Sequence, residues 1–154
     1  MIVELQSTKD LALVKPALHG MRVGLTSGCY DLLHPLHLHF LRRCRRHCDV
    51  LVVGVDSDNL VQHFKNKSPV IAEHHRAAMV DALECTTIVF VMETVLDFSR
   101  AVDIFGARQI FKNKAVLYGQ EIVGADRAEV VVIPDIEQLD STTAIVEKIR
   151  AGKP

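Results

Sequence analysis

The stretch Thr26-Ser-Gly-Cys-Tyr-Asp-Leu-Leu-His-Pro-Leu-His37 decides how this chain is read. Before it lies an apolar run at 21–25, a strand candidate. After it, residues 35–47 carry Leu38 and Leu41 at helical spacing, with Arg42, Arg43, Arg45 and Arg46 near the end, where cations complement a helix dipole. The stretch is therefore a strand-to-helix loop. His34 falls just before the helix and His37 in its first turn, where unpaired backbone N–H groups and the positive dipole end favour an anion. Phosphoryl transfer asks a protein mainly for positioning and for donors aimed at charge developing on the phosphorus oxygens. Paired imidazoles at this point supply such donors.

Working outward, β-branched apolar runs at 50–55, 87–91, 109–111 and 129–133 predict four further strands, and helical spacing recurs at 73–83, 95–105 and 142–151. Strands alternating with helices predict an α/β chain: a single Rossmann-like domain with a mostly parallel five-stranded sheet and helices on both faces. The run Asp49-Val-Leu-Val-Val-Gly-Val55 lacks polar alternation, as a strand buried on both faces would, so it is placed centrally. Residues 8–19 read as an extra helix that Pro16 cuts or kinks. At 154 residues there is material for one core, and no linker or repeat divides it. The expected organisation is one domain over 1–154, an N-terminal helical extension over 1–20 followed by a catalytic core over 21–150. Ligands of such sheets collect beyond the C-terminal strand ends, which here run into the polar loops 26–31, 56–58 and 112–114.

Composition narrows the function. Hydrophobic residues make up 49% and charged residues 24%, and no apolar stretch approaches the roughly 20 residues of a membrane span. The N-terminus lacks the pattern of an export signal, so a cytoplasmic location without membrane association is expected. The four cysteines form no CxxC pair; Cys44, His47 and Cys48 read as packing beside a helix end rather than as a zinc site. A net charge of −1 and a pI near 6.7 argue against a general nucleic-acid binder, leaving a small-molecule nucleotide as the expected partner.

The segment from Gly28 to His37 resembles the HxGH signature, usually G-x-F-D-x-x-H-x-G-H, of the cytidylyltransferase-like nucleotidyltransferase superfamily. The resemblance continues in order through 49–58 (DVLVVGVDSD), 73–83 with Arg76, Lys112, and Asp140-Ser-Thr-Thr-Ala-Ile145, similar to a late STTxI motif. It implies an enzyme that joins the nucleoside monophosphate half of a nucleoside triphosphate to a phosphorylated small molecule and releases pyrophosphate, with Mg2+ accompanying the triphosphate. By the same resemblance His34 and His37 contact the triphosphate and Lys65 stands near its phosphates. Asp31 positions the reacting partner or orders the loop, with Ser27, Gly28, Cys29 and Tyr30 in the same binding segment. Arg76 and Lys112 occupy matched positions around the nucleotide or acceptor. Ser141, Thr142 and Thr143 open a helix, where hydroxyls and free N–H groups suit a phosphate as well as a plain cap.

The segments 121–124, 130–134 and 141–149 look most like sugar-phosphate adenylyltransferases such as the adenylyltransferase part of ADP-heptose synthase. That implies ATP and a sugar phosphate, with a glycerol-3-phosphate-type cytidylyltransferase as the alternative and a homodimer as the family's plausible assembly. Leu36 departs from the motif, which usually has glycine there. Glycine lets a ligand approach the backbone, whereas an isobutyl group fills that space. A non-catalytic nucleotide-binding module is the rival reading on that ground. His39 and the arginine cluster are assigned to helix packing and a solvated helix end.

Overall fold

The computed structural model describes residues 1–113, 122–134, 136 and 142–152. Five strands, β1 (Val23–Gly28), β2 (Val50–Asp56), β3 (Ile88–Met92), β4 (Gln109–Asn113) and β5 (Glu129–Ile133), pair in the order β3-β2-β1-β4-β5. Every pairing is parallel. The described helices are α1 (Thr8–Ala17), α2 (Pro35–Arg45), α3 (Asp58–Lys65), α4 (Glu73–Asp81), α5 (Val95–Phe105) and α6 (Thr142–Arg150).

Strand β1 takes the centre of the sheet, and β2, expected there, lies beside it between β1 and β3, where it too is covered on both faces. Val50 and Val52 join a core with Leu25, Ile110 and the α5 residues Phe98 and Val102. Their neighbours Leu51, Val53 and Val55 point the other way, into a core with Leu41 and Cys44 of α2, Ala77 and Val80 of α4, and Phe111. Because successive strand residues alternate sides, feeding two cores demands an unbroken apolar run. Burying each such side chain contributes about 1.5–3 kcal/mol.

Helix starts are locally encoded. Pro35 occupies the first turn of α2, where its missing N–H costs nothing. Thr94 and Asp97 form a reciprocal capping box at α5, and Gly106 closes that helix in the left-handed conformation. Two elements differ from expectation. Helix α3 lies where a loop was expected: the Ser57 hydroxyl accepts from Leu60 N at 3.2 Å, and Glu73 accepts from Asp58 N at 2.6 Å. Strand β1 starts later and runs three residues further, because Ser27 and Gly28 pair with Gly54 and Val55 while the Thr26 hydroxyl donates to Phe111 O at 2.9 Å. The N-terminal segment also contributes to the sheet: Val3 N donates to Val89 O and Val89 N to Met1 O, and Val3, Leu5 and Val14 are buried.

From β1 the chain moves outward to β2 and β3, then returns to lay β4 on the opposite side. The crevice beyond the C-terminal ends of β1 and β4 is therefore the topological switch point, where such sheets bind ligands. At the opposite end of β1 the sheet packs closely because Gly24 carries no side chain: a Cβ there would overlap the edge of the Phe111 ring and lie 3.1 Å from Cys48 Sγ. Gly24→Ala should lower stability by about 1–3 kcal/mol, read as a reduced urea midpoint with unchanged slope; an unaltered midpoint would refute this packing.

Candidate active site

The loop between β1 and α2 is shaped by two residues that enter the left-handed region without being glycine, Tyr30 at φ 52° and Leu32 at φ 47°. Each costs on the order of 1 kcal/mol, so the surroundings must hold the loop in place. They do so from two sides. The Asp31 carboxylate accepts from Val70 N at 2.9 Å and Ile71 N at 3.0 Å. Arg76, only 1% exposed, donates from Nε to Ile71 O at 2.7 Å, from Nη1 to Cys29 O at 2.5 Å, and from Nη2 to Asp58 Oδ1 at 2.6 Å. Arg76, expected at the nucleotide, thus ties together the loops that follow β1 and α3 and the start of α3.

The two motif histidines lie against each other, ring centroids 3.9 Å apart, with Tyr30 5.4 Å from His37. Their surroundings differ. His34 Nε2 meets the Thr142 hydroxyl at 3.0 Å, which joins the loop to the start of α6. His37 makes no hydrogen bond among the described residues, and its Nδ1 is buried without a partner, leaving Nε2 as the ring nitrogen turned to open space. That space is a polar cleft of about 300 Å³ lined by Cys29, Asp31, His37, Lys65, Lys67 and Thr142 among others. Burial, the neighbouring His34 and Lys65 push His37 down to about 4 against an opposing Asp31, and burial also lowers His34. Both imidazoles are therefore neutral near pH 7, each with one N–H to donate.

A second polar group sits across the switch point. Lys112, at the end of β4, places Nζ 3.3 Å from Ser27 Oγ at the end of β1 and 4.5 Å above the Phe98 ring. Burial lowers this lysine, and Asp56 at the end of β2 opposes that effect. Burial raises Asp56, opposed by Lys65, Lys112 and Arg76. Asp56 was not singled out from the sequence. Its signal was its place, a charged residue ending a strand that is otherwise apolar.

Of the expected residues, the fold brings Cys29, Tyr30, Asp31, His37, Lys65, Thr142 and Thr143 around one cleft, with His34 against His37 and Ser27 beside Lys112. Gly28 ends β1 next to the Tyr30 ring. Ser141 lies outside the described residues. Leu36 does not line the cleft; it borders a separate small crevice with Phe40, Arg43, Pro134 and Ile136.

A parallel Rossmann-like sheet here carries paired imidazoles, lysines and two helix starts at its C-terminal end. The chain belongs to the cytidylyltransferase-like family, whose profile matches residues 25–148. It is 36% identical over 139 residues to the bifunctional protein HldE of Hyphomonas neptunium and 40% identical over 141 residues to that of Bradyrhizobium sp.. Each alignment covers 87% of this chain and 28% of the relative, so the chain spans under a third of the length of these relatives. Among solved structures, a lipopolysaccharide core biosynthesis protein from Thermoplasma volcanium is similar in fold, with TM-score 0.64 and 23% identity over 77% of this chain and all of that one. A pantothenate synthetase from Thermus thermophilus has TM-score 0.58 and 16% identity, covering 99% of this chain and 77% of that one.

Two outcomes follow. Arg76→Met should destabilise the fold by about 3 kcal/mol, since it leaves three oxygens without their donor; a urea midpoint equal to the parent's would show that the ties are dispensable. The His37 ring, followed by NMR, should titrate near 4 and move upward when ATP is added, because a polyanion favours the imidazolium. A midpoint near the ordinary ~6.5 that ATP leaves unmoved would place the ring in solvent, away from any phosphate.

Proposed function

We propose that this chain transfers the nucleoside monophosphate of ATP to a sugar phosphate and releases pyrophosphate. The observation that carries the reading is His37: a neutral imidazole at the first turn of α2, turned to a polar cleft that also holds Lys65, Lys67 and the start of α6. The cleft's volume of about 300 Å³ suits a polyphosphate, while its cations and helix starts favour negative charge. The choice of ATP and a sugar phosphate is supported by identities of 33–40% to proteins named HldE and by the resemblance to sugar-phosphate adenylyltransferases.

In the reaction proposed here, an acceptor phosphate oxygen attacks the α-phosphorus in line. The new phosphorus–oxygen bond forms as the bond to the β,γ-pyrophosphate breaks, and pyrophosphate leaves with the electron pair. His37 Nε2–H donates to charge developing on the transferred group or on the departing pyrophosphate. His34 acts through position. The Thr142 hydroxyl lies 3.0 Å from its Nε2 but 3.5 Å from Asp31 O, so the shorter contact fixes the ring, and the ring in turn packs His37. Lys65 and Lys67 supply further positive charge, and the hydroxyl and amide at the start of α6 add donors. Arg76 and Asp31 are positioning residues that hold the loop bearing both histidines.

Magnesium fits as part of the incoming nucleotide. Among the described residues no group of three or more His, Cys, Asp or Glu side chains is arranged to hold a metal ion, and Mg2+ is commonly held by substrate phosphates with few protein ligands. Bound there, it would neutralise phosphate charge. Leu36 lies outside the polar cleft, which favours catalysis over the rival reading of a silent nucleotide-binding module. Among the described residues no helix is long and apolar enough to cross a membrane, and a cytoplasmic site of action is part of this proposal.

The test is pyrophosphate release with each of the four triphosphates, over a panel of heptose 1-phosphate, mannose 1-phosphate and glycerol 3-phosphate. ATP with a sugar phosphate should give the fastest release, and His37→Ala should lower turnover by about 10²–10³ with little change in stability. Nucleotide binding without release from any pair would support the module instead, and CTP with glycerol 3-phosphate as the best pair would replace the substrate assignment.

A further inference from the structure

Asp56 is left unexplained by the triphosphate cleft. It ends β2, the strand beside β1, and its carboxylate is half-buried at the same end of the sheet as Lys65 and Lys112. An anionic side chain placed here opposes the binding of a polyphosphate. The surrounding lysines and Arg76 offset its charge, yet among the described residues none of them, nor any backbone N–H, makes a hydrogen bond or ion pair with it. Arg76 is committed to Cys29, Ile71 and Asp58, and Lys112 reaches Ser27. An ionised carboxylate has about four lone-pair sites, and leaving them unused in a half-buried place is costly.

Two kinds of ligand could use those lone pairs. A divalent cation is disfavoured, since ammonium groups already surround the carboxylate and no further acidic or imidazole group joins it as a ligand set among the described residues. A neutral hydroxyl donor suits the position, because it supplies hydrogen bonds without adding charge. Lys112 completes the pattern: an ammonium has three donors, one directed at Ser27, and among the described residues no second acceptor takes the others, which suit an oxygen whose proton goes to Asp56. A carboxylate and an ammonium on one face at the same end of the sheet, carried by the two strands that flank β1, match the donor-and-acceptor character of adjacent hydroxyls on a polyol.

We infer that Asp56 is an acceptor-recognition residue, whose carboxylate takes hydrogen bonds from hydroxyl groups of a polyhydroxylated, phosphorylated acceptor, with Lys112 as the paired donor. This rests on the reaction proposed above and adds the group that reads the acceptor's hydroxyls. It also separates two roles at one end of the sheet, with His37 and Lys65 facing phosphate and Asp56 facing neutral hydroxyls.

The experiment compares the parent with Asp56→Asn and Asp56→Ala. ATP binding is measured by calorimetry, heptose 1-phosphate binding is measured in the presence of the non-reacting analogue α,β-methylene-ATP, and steady-state kinetics follow with heptose 1-phosphate. Both variants should bind ATP within about twofold of the parent, which also reports an intact fold, while Kd and KM for heptose 1-phosphate rise about tenfold or more. The loss should be smaller for a deoxy analogue lacking the hydroxyl that Asp56 reads. Equal weakening of ATP and acceptor, or acceptor binding that ignores the substitutions, would overturn the inference. So would a parent protein that binds ATP but not heptose 1-phosphate. A parent that binds heptose 1-phosphate through Asp56 yet releases no pyrophosphate would uphold the inference and defeat the proposed catalysis, so the two fail separately.

Discussion

The site depends on a clamp between two loops that meet beyond the sheet. Asp31 reaches across to the amides of Val70 and Ile71, and Arg76 reaches back to the carbonyls of Cys29 and Ile71 while pairing with Asp58. Each half satisfies backbone groups that would otherwise be left unpaired in a crowded place, so the clamp is as much hydrogen-bond completion as charge pairing. It also maintains two left-handed residues, Tyr30 and Leu32, whose strain the chain alone would relieve. The gain is a loop that is ordered before any ligand arrives. Donors already aimed need no reorganisation when charge develops, and this is where electrostatic catalysis obtains most of its effect.

Charge is then distributed unevenly around that loop. The histidines are held neutral by burial, His37 also by His34 and Lys65 beside it, so the cleft's fixed positive charge comes from Lys65 and Lys67 at its rim and from the partial charges of helix starts. A neutral His37 gives up some electrostatic attraction for a triphosphate, but its donor is always available near pH 7. Across the switch point, Lys112 and Asp56 offset each other, forming a region suited to neutral polar groups rather than to another anion. In this proposal the C-terminal end of the sheet has a phosphate-facing region and a hydroxyl-facing region.

The fold was legible wherever one residue's neighbours settled its role. The unbroken Val50–Val55 run announced a strand buried on both faces, and Pro35 suited the first position of a helix. Helix α3 escaped notice because its eight residues, DNLVQHFK, bury only Leu60 and Val61, too few to show a period. The polar end of β1 was also hidden: Thr26 and Ser27 look like loop residues until Phe111 and Gly54 are seen beside them. For the site, the family motif pointed to His34, His37 and Asp31, but not to the difference between the two rings, which arises from Thr142, 108 positions later in the chain. Arg76 illustrates the same limit. Its place in the sequence suggested a nucleotide contact, and only its three partners show it bound within the protein. Asp56 became visible once the fold set it beside lysines from two other elements. Contacts made by folding across such separations leave no local trace to read.

The central claim is that His37 grips polyphosphate from the start of α2. A crystal structure of the protein with α,β-methylene-ATP tests it directly. The account predicts a phosphate oxygen within about 3.2 Å of His37 Nε2, with the triphosphate lying between Lys65 and the start of α6. A nucleotide bound with its phosphates outside this cleft, and His37 Nε2 facing solvent or protein alone, would contradict it.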